Sequence, residues 1–158
     1  MNTQVLIIGG GATGTGVARD LALRGVDCIL VEKKDINAGA SGANHGLLHS
    51  GARYVSNDVE SAKECRDENR ILKRVAPDCI EDTGGLFVAV QGDEEQFIAD
   101  FPVYCEKAGL SCAPMDINEA RAMEPALSEN TIAVYAVEDA SIDPFKLVLE
   151  NITHAQQL

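Results

Sequence analysis

Residues 9–14 read Gly-Gly-Gly-Ala-Thr-Gly, and they stand between a short apolar run, Val5-Leu6-Ile7-Ile8, and a stretch of helical periodicity. The pattern G-x-G-x-x-G is weak by itself, but directly after a strand and opening a helix it narrows the fold to one arrangement. Over residues 13–24, Val17, Ala18, Leu21 and Ala22 share a helical face, and Gly25 follows where a left-handed residue ends a helix. Cys28-Ile29-Leu30-Val31 is a second apolar run, ending at Glu32. Continuous apolar runs of this length suit buried parallel strands. Strand, helix and strand in succession predict a right-handed βαβ unit.

The glycines have separate tasks in such a unit. Gly9 permits the tight turn, Gly11 lets a pyrophosphate approach the backbone, and Gly14 lets the helix lie close on the strand. Ala12 and Thr13 complete the helix N-terminus, whose unpaired N–H groups and partial positive charge suit phosphate. Glu32 lies where an acid accepts hydrogen bonds from ribose hydroxyls and disfavours a 2′-phosphate, hence NADP. A second small, glycine-rich segment follows at 40–51, Ala-Ser-Gly-Ala-Asn-His-Gly-Leu-Leu-His-Ser-Gly. An NAD-type domain normally continues into another plain crossover; small residues and backbone amides here can wrap a bulkier cofactor, which favours FAD.

The rest of the chain alternates helices and strands. A helix over 58–75 carries Val59, Ala62, Cys65, Leu72 and Val75 as its expected buried stripe and stops before Pro77. Gly85–Val90 and Thr131–Val137 read as strands, with Cys112–Met115 a shorter one. Helices near 93–108 and 116–123 are expected to start at caps Asp93 and Asp116. Thr83, the strand 86–90 and Gly92-Asp93 imitate a pattern that closes many FAD sites, but the acids that follow favour Asp93 as a cap. Asp143-Pro144 opens a last helix with Phe145, Leu147, Val148 and Ile152.

A net charge of −12 argues against a nucleic-acid or anionic-membrane surface. No apolar run is long enough for a membrane span, and the first residues carry no secretory leader pattern, so an intracellular protein is expected. Cys28, Cys65, Cys79, Cys105 and Cys112 have no metal-ligand spacing and read as free thiols. His45 and His49 are four apart, but with no third ligand in reach a role beside a flavin, as base or hydrogen-bond donor, is favoured over metal. A histidine satisfied by neighbouring backbone is the ordinary alternative. Arg53 is the only Lys or Arg between Lys34 and Lys63. It suits a phosphate or carboxylate, or else pairs with an acid of the following helix.

The stretches 7–14, Ala18-Arg19-Asp20, 44–54 (Asn-His-Gly-Leu-Leu-His-Ser-Gly-Ala-Arg-Tyr) and Ile142-Asp143-Pro144-Phe145 together resemble the FAD-dependent glycerol-3-phosphate dehydrogenases. Within that family the likeness is greatest to the catalytic polypeptide of the bacterial anaerobic enzymes. The resemblance implies a Rossmann-like α/β FAD-binding domain of the glutathione-reductase/D-amino-acid-oxidase type, truncated, with part of an α+β substrate domain. It implies the first part of the FAD domain over 1–76, the start of the substrate domain over 77–142, and a returning helix over 143–158. The implied reaction is oxidation of sn-glycerol 3-phosphate to dihydroxyacetone phosphate by hydride transfer to FAD. Gly9, Gly11 and Gly14 would hold the pyrophosphate and Glu32 the ribose. Ser41, Asn44, His45 and Gly46 would line the flavin side. Arg53 would take the substrate phosphate, and His49 beside it could face the reacting carbon. Companion electron-transfer and membrane-anchor subunits would pass electrons to the quinone pool, placing the protein in the cytoplasm at the inner membrane face. Family members are several times longer, so this chain is expected to be an N-terminal piece that binds FAD weakly by itself. An oxidase or dehydrogenase of a small amine or 2-hydroxy acid, and a non-catalytic nucleotide-binding module, are the alternatives.

Overall fold

A computed structural model describes residues 2–158. In chain order the first elements are β1 (Val5–Ile8), α1 (Ala12–Leu23), β2 (Cys28–Val31), β3 (Leu47–Leu48), α2 (Val59–Val75) and β4 (Ile80–Glu81). They are followed by β5 (Gly85–Val90), α3 (Glu95–Ala108), β6 (Cys112–Pro114), α4 (Ile117–Met123), β7 (Thr131–Val137), β8 (Ala140–Ile142) and α5 (Pro144–Gln157). The chain divides into two compact units: the residues up to Leu47 with Ile142–Leu158, and Leu48–Ser141. This division differs from the one expected at 76/77, because α2 packs with α3 and the 52–54 turn inside the second unit.

The first unit is the βαβ arrangement. β1 and β2 pair in parallel, with Val5 opposite Cys28 and Ile8 opposite Val31. α1 crosses between them, and α5 packs along α1, where Arg19 Nε donates to His154 Nδ1 at 2.9 Å. Gly25 takes the left-handed conformation, φ 68°, at the end of α1. The strands are less buried than their apolar runs imply. Ile7 is buried, but Leu6 is 57% and Ile8 83% exposed. Among the described residues the sheet has two strands, so each lacks a neighbour on one side.

The second unit is built on an antiparallel sheet in the order β5-β7-β6. Val88 faces Val134 across β5 and β7, and Ala113 faces Ala136 across β6 and β7. Phe101 of α3 is fully buried and stacks on Phe87 at a ring-centroid distance of 4.2 Å. Ala62, Cys105, Ala108 and Val137 close the core around it. Tyr135 reaches into this core and gives its hydroxyl proton to the Ile98 carbonyl at 2.9 Å.

Asp116 and Asp143 cap α4 and α5 as expected, each accepting two backbone N–H bonds. Asp93 does not cap α3. Its carboxylate accepts the Val90 N–H at 2.8 Å, closing the turn after β5, and Glu94 is the residue before the helix. The stripe of α2 is also revised. Ala62 is buried but Val75 is 47% exposed, while the polar Asn69 is buried. Asn69 is stabilised there because its amide donates to the carbonyls of Leu48 and Glu138.

Candidate active site: a glycine cradle and an Asp–His–Arg row

The first unit carries the nucleotide-type cradle. Gly9, at φ 115°, turns the chain out of β1 in a conformation that side chains with a Cβ rarely adopt. A Cβ on Gly14 would collide with the Gly9 carbonyl, so α1 can sit this close to the strand only with glycine there. Gly11 precedes α1 in extended backbone and places no side chain over the helix start. Of the first amides of α1, that of Ala12 donates to Ser41 Oγ at 3.0 Å. The amides of Thr13 and Gly14, like those of any first helical turn, have no carbonyl partner a turn earlier in the helix and could donate to an anion.

Glu32 stands at the end of β2, as expected. Its carboxylate accepts the Gly10 N–H at 2.8 Å and the Lys34 N–H at 3.0 Å. These backbone bonds, that from Gly10 first, hold its pKa below the ordinary carboxylate value. A cavity of about 530 Å³ opens beside it, bordered by Ile8, Gly9, Val31, Glu32 and Lys33. A fixed anion on the rim of a cavity that Gly9 also borders suits ribose hydroxyls, with the glycine turn leading on to the helix start for a pyrophosphate.

The loop after the cradle is tied by its own side chains. Asn44 Nδ2 donates to the Ser41 carbonyl, and Asn44 Oδ1 accepts the Gly46 N–H at 2.6 Å. The Leu47 N–H donates to His45 Nδ1 at 3.1 Å, so neutral His45 carries its proton on Nε2. Ser41 lies against the helix start: a Cβ on Gly11 would come within 2.8 Å of Ser41 Oγ. Asn37 is buried in left-handed backbone, φ 64°, and its side-chain amide has no hydrogen-bond partner among the described residues.

His49 and Arg53 lie in the second unit. They do not share the face of one α-helix: Gly51, at φ 101°, turns the chain into a short 3-10 turn at Ala52–Tyr54. Asp139, just before β8, is the residue that organises them. Its Oδ1 accepts both the backbone N–H and the hydroxyl of Ser50 at 2.6 Å. Its Oδ2 faces His49 Nδ1 at 3.4 Å, and His49 Nε2 faces Arg53 Nη1 at 3.4 Å. Arg53 forms no ion pair with a carboxylate among the described residues, so pairing with an acid of α2 is not what holds it. Its guanidinium lies over the Tyr54 ring and borders a cavity of about 470 Å³ that Asn57, Asp93 and Phe97 also line.

Sequence patterns do not reveal Ser50 and Asp139 as members of this row, nor Asn69 beside it. Asp139 is 90 residues from His49, and no local spacing reports a contact made across that distance. Among the described residues no group of three or more His, Cys, Asp or Glu is placed to hold a metal ion. No helix among them is long and apolar enough to cross a membrane.

Known proteins resemble this chain along nearly its whole length. The chain is 49% identical over 157 residues to a subunit of the anaerobic glycerol-3-phosphate dehydrogenase of Haemophilus influenzae, covering 99% of this chain and 28% of that protein. To the corresponding subunit of the Escherichia coli K12 enzyme it is 51% identical over 156 residues, covering 99% of this chain and 29% of that protein. The chain therefore spans less than a third of the length of these curated relatives. Among solved structures, the L-α-glycerophosphate oxidase of Mycoplasma pneumoniae with FAD bound superposes with a TM-score of 0.82 at 21% identity. That match covers 99% of this chain and 43% of the oxidase and shows the same fold. The family model for FAD dependent oxidoreductases matches residues 4–158, and the chain belongs to that family.

Proposed function

We propose that this chain is the flavin-cradling and substrate-gripping part of an enzyme that oxidises sn-glycerol 3-phosphate to dihydroxyacetone phosphate. The observation that carries the reading is the identity of about half of all residues, along 99% of the chain, with two proteins named for that substrate. Gly9, Gly11, Ala12, Thr13 and Gly14 would hold the FAD pyrophosphate, and Glu32 the ribose of its adenosine. Ser41, Asn44, His45 and Gly46 would border the remainder of the cofactor. The chemistry that FAD supplies when bound is acceptance of two electrons as a hydride. Arg53, which borders open cavity and pairs with no carboxylate among the described residues, would take the substrate phosphate. His49 would take the proton of the C2 hydroxyl on Nε2 while the C2 hydrogen leaves with its electron pair as the hydride.

Both of these relatives are named as one component of a larger enzyme. By that likeness the complete enzyme would work with companion electron-transfer and membrane-anchor subunits that deliver electrons to quinone, from the cytoplasmic side of the membrane. A substrate panel on the complete enzyme under anaerobic conditions tests the reaction. Glycerol 3-phosphate is expected to bleach the flavin absorbance, and amino acids or 2-hydroxy acids are not. Bleaching by one of the latter, with none by glycerol 3-phosphate, would replace this reading with that of an amine or hydroxy-acid oxidase.

A further inference from the structure

We infer that Asp139 is a positioning residue that sets the tautomer of His49; the inference rests on His49 serving as the base of the reaction proposed above. Arginine has only donors, so in the Arg53–His49 contact Nε2 must be the acceptor. Neutral His49 then carries its one proton on Nδ1, pointing at Asp139 Oδ2. Asp139 cannot turn away from this task, because its other oxygen is held by two donors of Ser50, the backbone N–H and the hydroxyl, both at 2.6 Å. Its neighbourhood is held as well: Asn69 bonds the carbonyls of Leu48 and Glu138, next to His49 and Asp139 in the chain. Four residues thus form a row from Ser50 through Asp139 to His49 and Arg53, and Asn69 braces the backbone beside it. At its end Nε2 has its lone pair turned to Arg53 Nη1, and that lone pair can take the C2 hydroxyl proton once the guanidinium turns to the substrate phosphate.

The arrangement makes an unusual forecast for an isosteric substitution. In Asp139→Asn the Ser50 donors select the amide oxygen for the Oδ1 position. The amide NH2 is then left facing His49 Nδ1 and donates to it. The imidazole then has a donor at each nitrogen; as Arg53 turns to the substrate phosphate, the proton settles on Nε2 and the base is blocked. Asp139→Ala removes the constraint without reversing it, so His49 can still adopt the useful tautomer for part of the time. A role confined to bracing the chain gives the opposite order, because Asn still fills the space and keeps the Ser50 bonds while Ala loses both.

The experiment is single-turnover flavin reduction by glycerol 3-phosphate in the complete holoenzyme, with rates taken per bound flavin. Asp139→Asn is expected to lower the rate about 10²- to 10⁴-fold, the range that a general base contributes, with the KM for glycerol 3-phosphate little changed. Asp139→Ala is expected to lose less than Asn. An Ala variant as slow as Asn or slower, an Asn variant within about twofold of the wild type, or a loss that follows flavin content would each overturn the inference. If the wild-type flavin is not reduced by glycerol 3-phosphate at all, it is the proposed reaction that fails. If the wild type responds and the Asn-below-Ala order does not appear, the positioning role alone fails.

Discussion

Gly11→Ala separates two roles that the cradle assigns to one position. The backbone there is extended, φ −88° and ψ −173°, which alanine adopts without strain. The folding cost therefore comes from one contact, the new Cβ at 2.8 Å from Ser41 Oγ. A few tenths of an ångström of relief is available if the Ser41 hydroxyl swings away, but that gives up its bond to the Ala12 N–H. One helix-start hydrogen bond is worth about 1 kcal/mol, so Gly11→Ala and Ser41→Ala should each lower stability by about that amount. The double variant should lose about 1 kcal/mol in total and not 2, because the bond can be lost only once. Flavin affinity should behave otherwise. If a pyrophosphate reaches the Thr13 and Gly14 amides past Gly11, the methyl stands in its way, and loss of one or two charge-assisted bonds at about 1.5–3 kcal/mol each weakens FAD about ten- to ten-thousandfold. Removing Ser41 does not clear that methyl, so the double variant should regain no affinity. The assay pairs thermal melts of the flavin-free enzyme with titration by flavin fluorescence quenching. If the double variant recovered FAD binding, Gly11 would be small for the sake of Ser41 and the phosphate argument at this position would be lost.

Two further outcomes follow from charge and burial. Glu32 has a folded-state pKa held below its unfolded value by the Gly10 and Lys34 amides. Its contribution to stability is therefore present above the unfolded pKa and fades as the pH falls through the folded one. Urea midpoints of wild type and Glu32→Gln should differ at neutral pH and converge in acid; a constant gap would show that charge is not the cause. Burial pushes the Cys105 thiol up to about 12. Alkylation in mildly alkaline buffer should therefore spare Cys105 in the folded protein and reach it in urea; rapid labelling of native Cys105 would contradict its place in the core.

The βαβ unit was legible because every cue to it is local. Apolar runs, glycine spacing and the acid after β2 lie within 32 consecutive residues, and β1, α1 and β2 fall within a residue or two of where those cues put them. The caps at Asp116 and Asp143 were legible for the same reason, since each bonds amides two and three residues on. Asp93 offered the same local signal and resolved differently: the turn after β5 brought the Val90 N–H to its carboxylate, and the helix began a residue later than the cap pattern placed it. On α2 the apolar stripe misled at Val75 and overlooked Asn69, which is buried because two carbonyls from distant segments need a donor. The same distance hid Asp139. His49 and Arg53 were readable as residue types in a suggestive loop, but their order along a hydrogen-bonded row depends on a carboxylate that only the tertiary fold delivers.

The central claim is that Arg53 grips a phosphate beside a histidine base, and the most direct test compares substrates that differ only in that phosphate. In the complete enzyme, kcat/KM for glycerol 3-phosphate is measured against kcat/KM for glycerol, with wild type and Arg53→Ala side by side. Loss of a charge-assisted phosphate contact is worth about 1.5–3 kcal/mol, so the preference for the phosphorylated substrate should fall roughly ten- to a hundredfold with flavin content intact. An unchanged preference would contradict the account and return Arg53 to the surface.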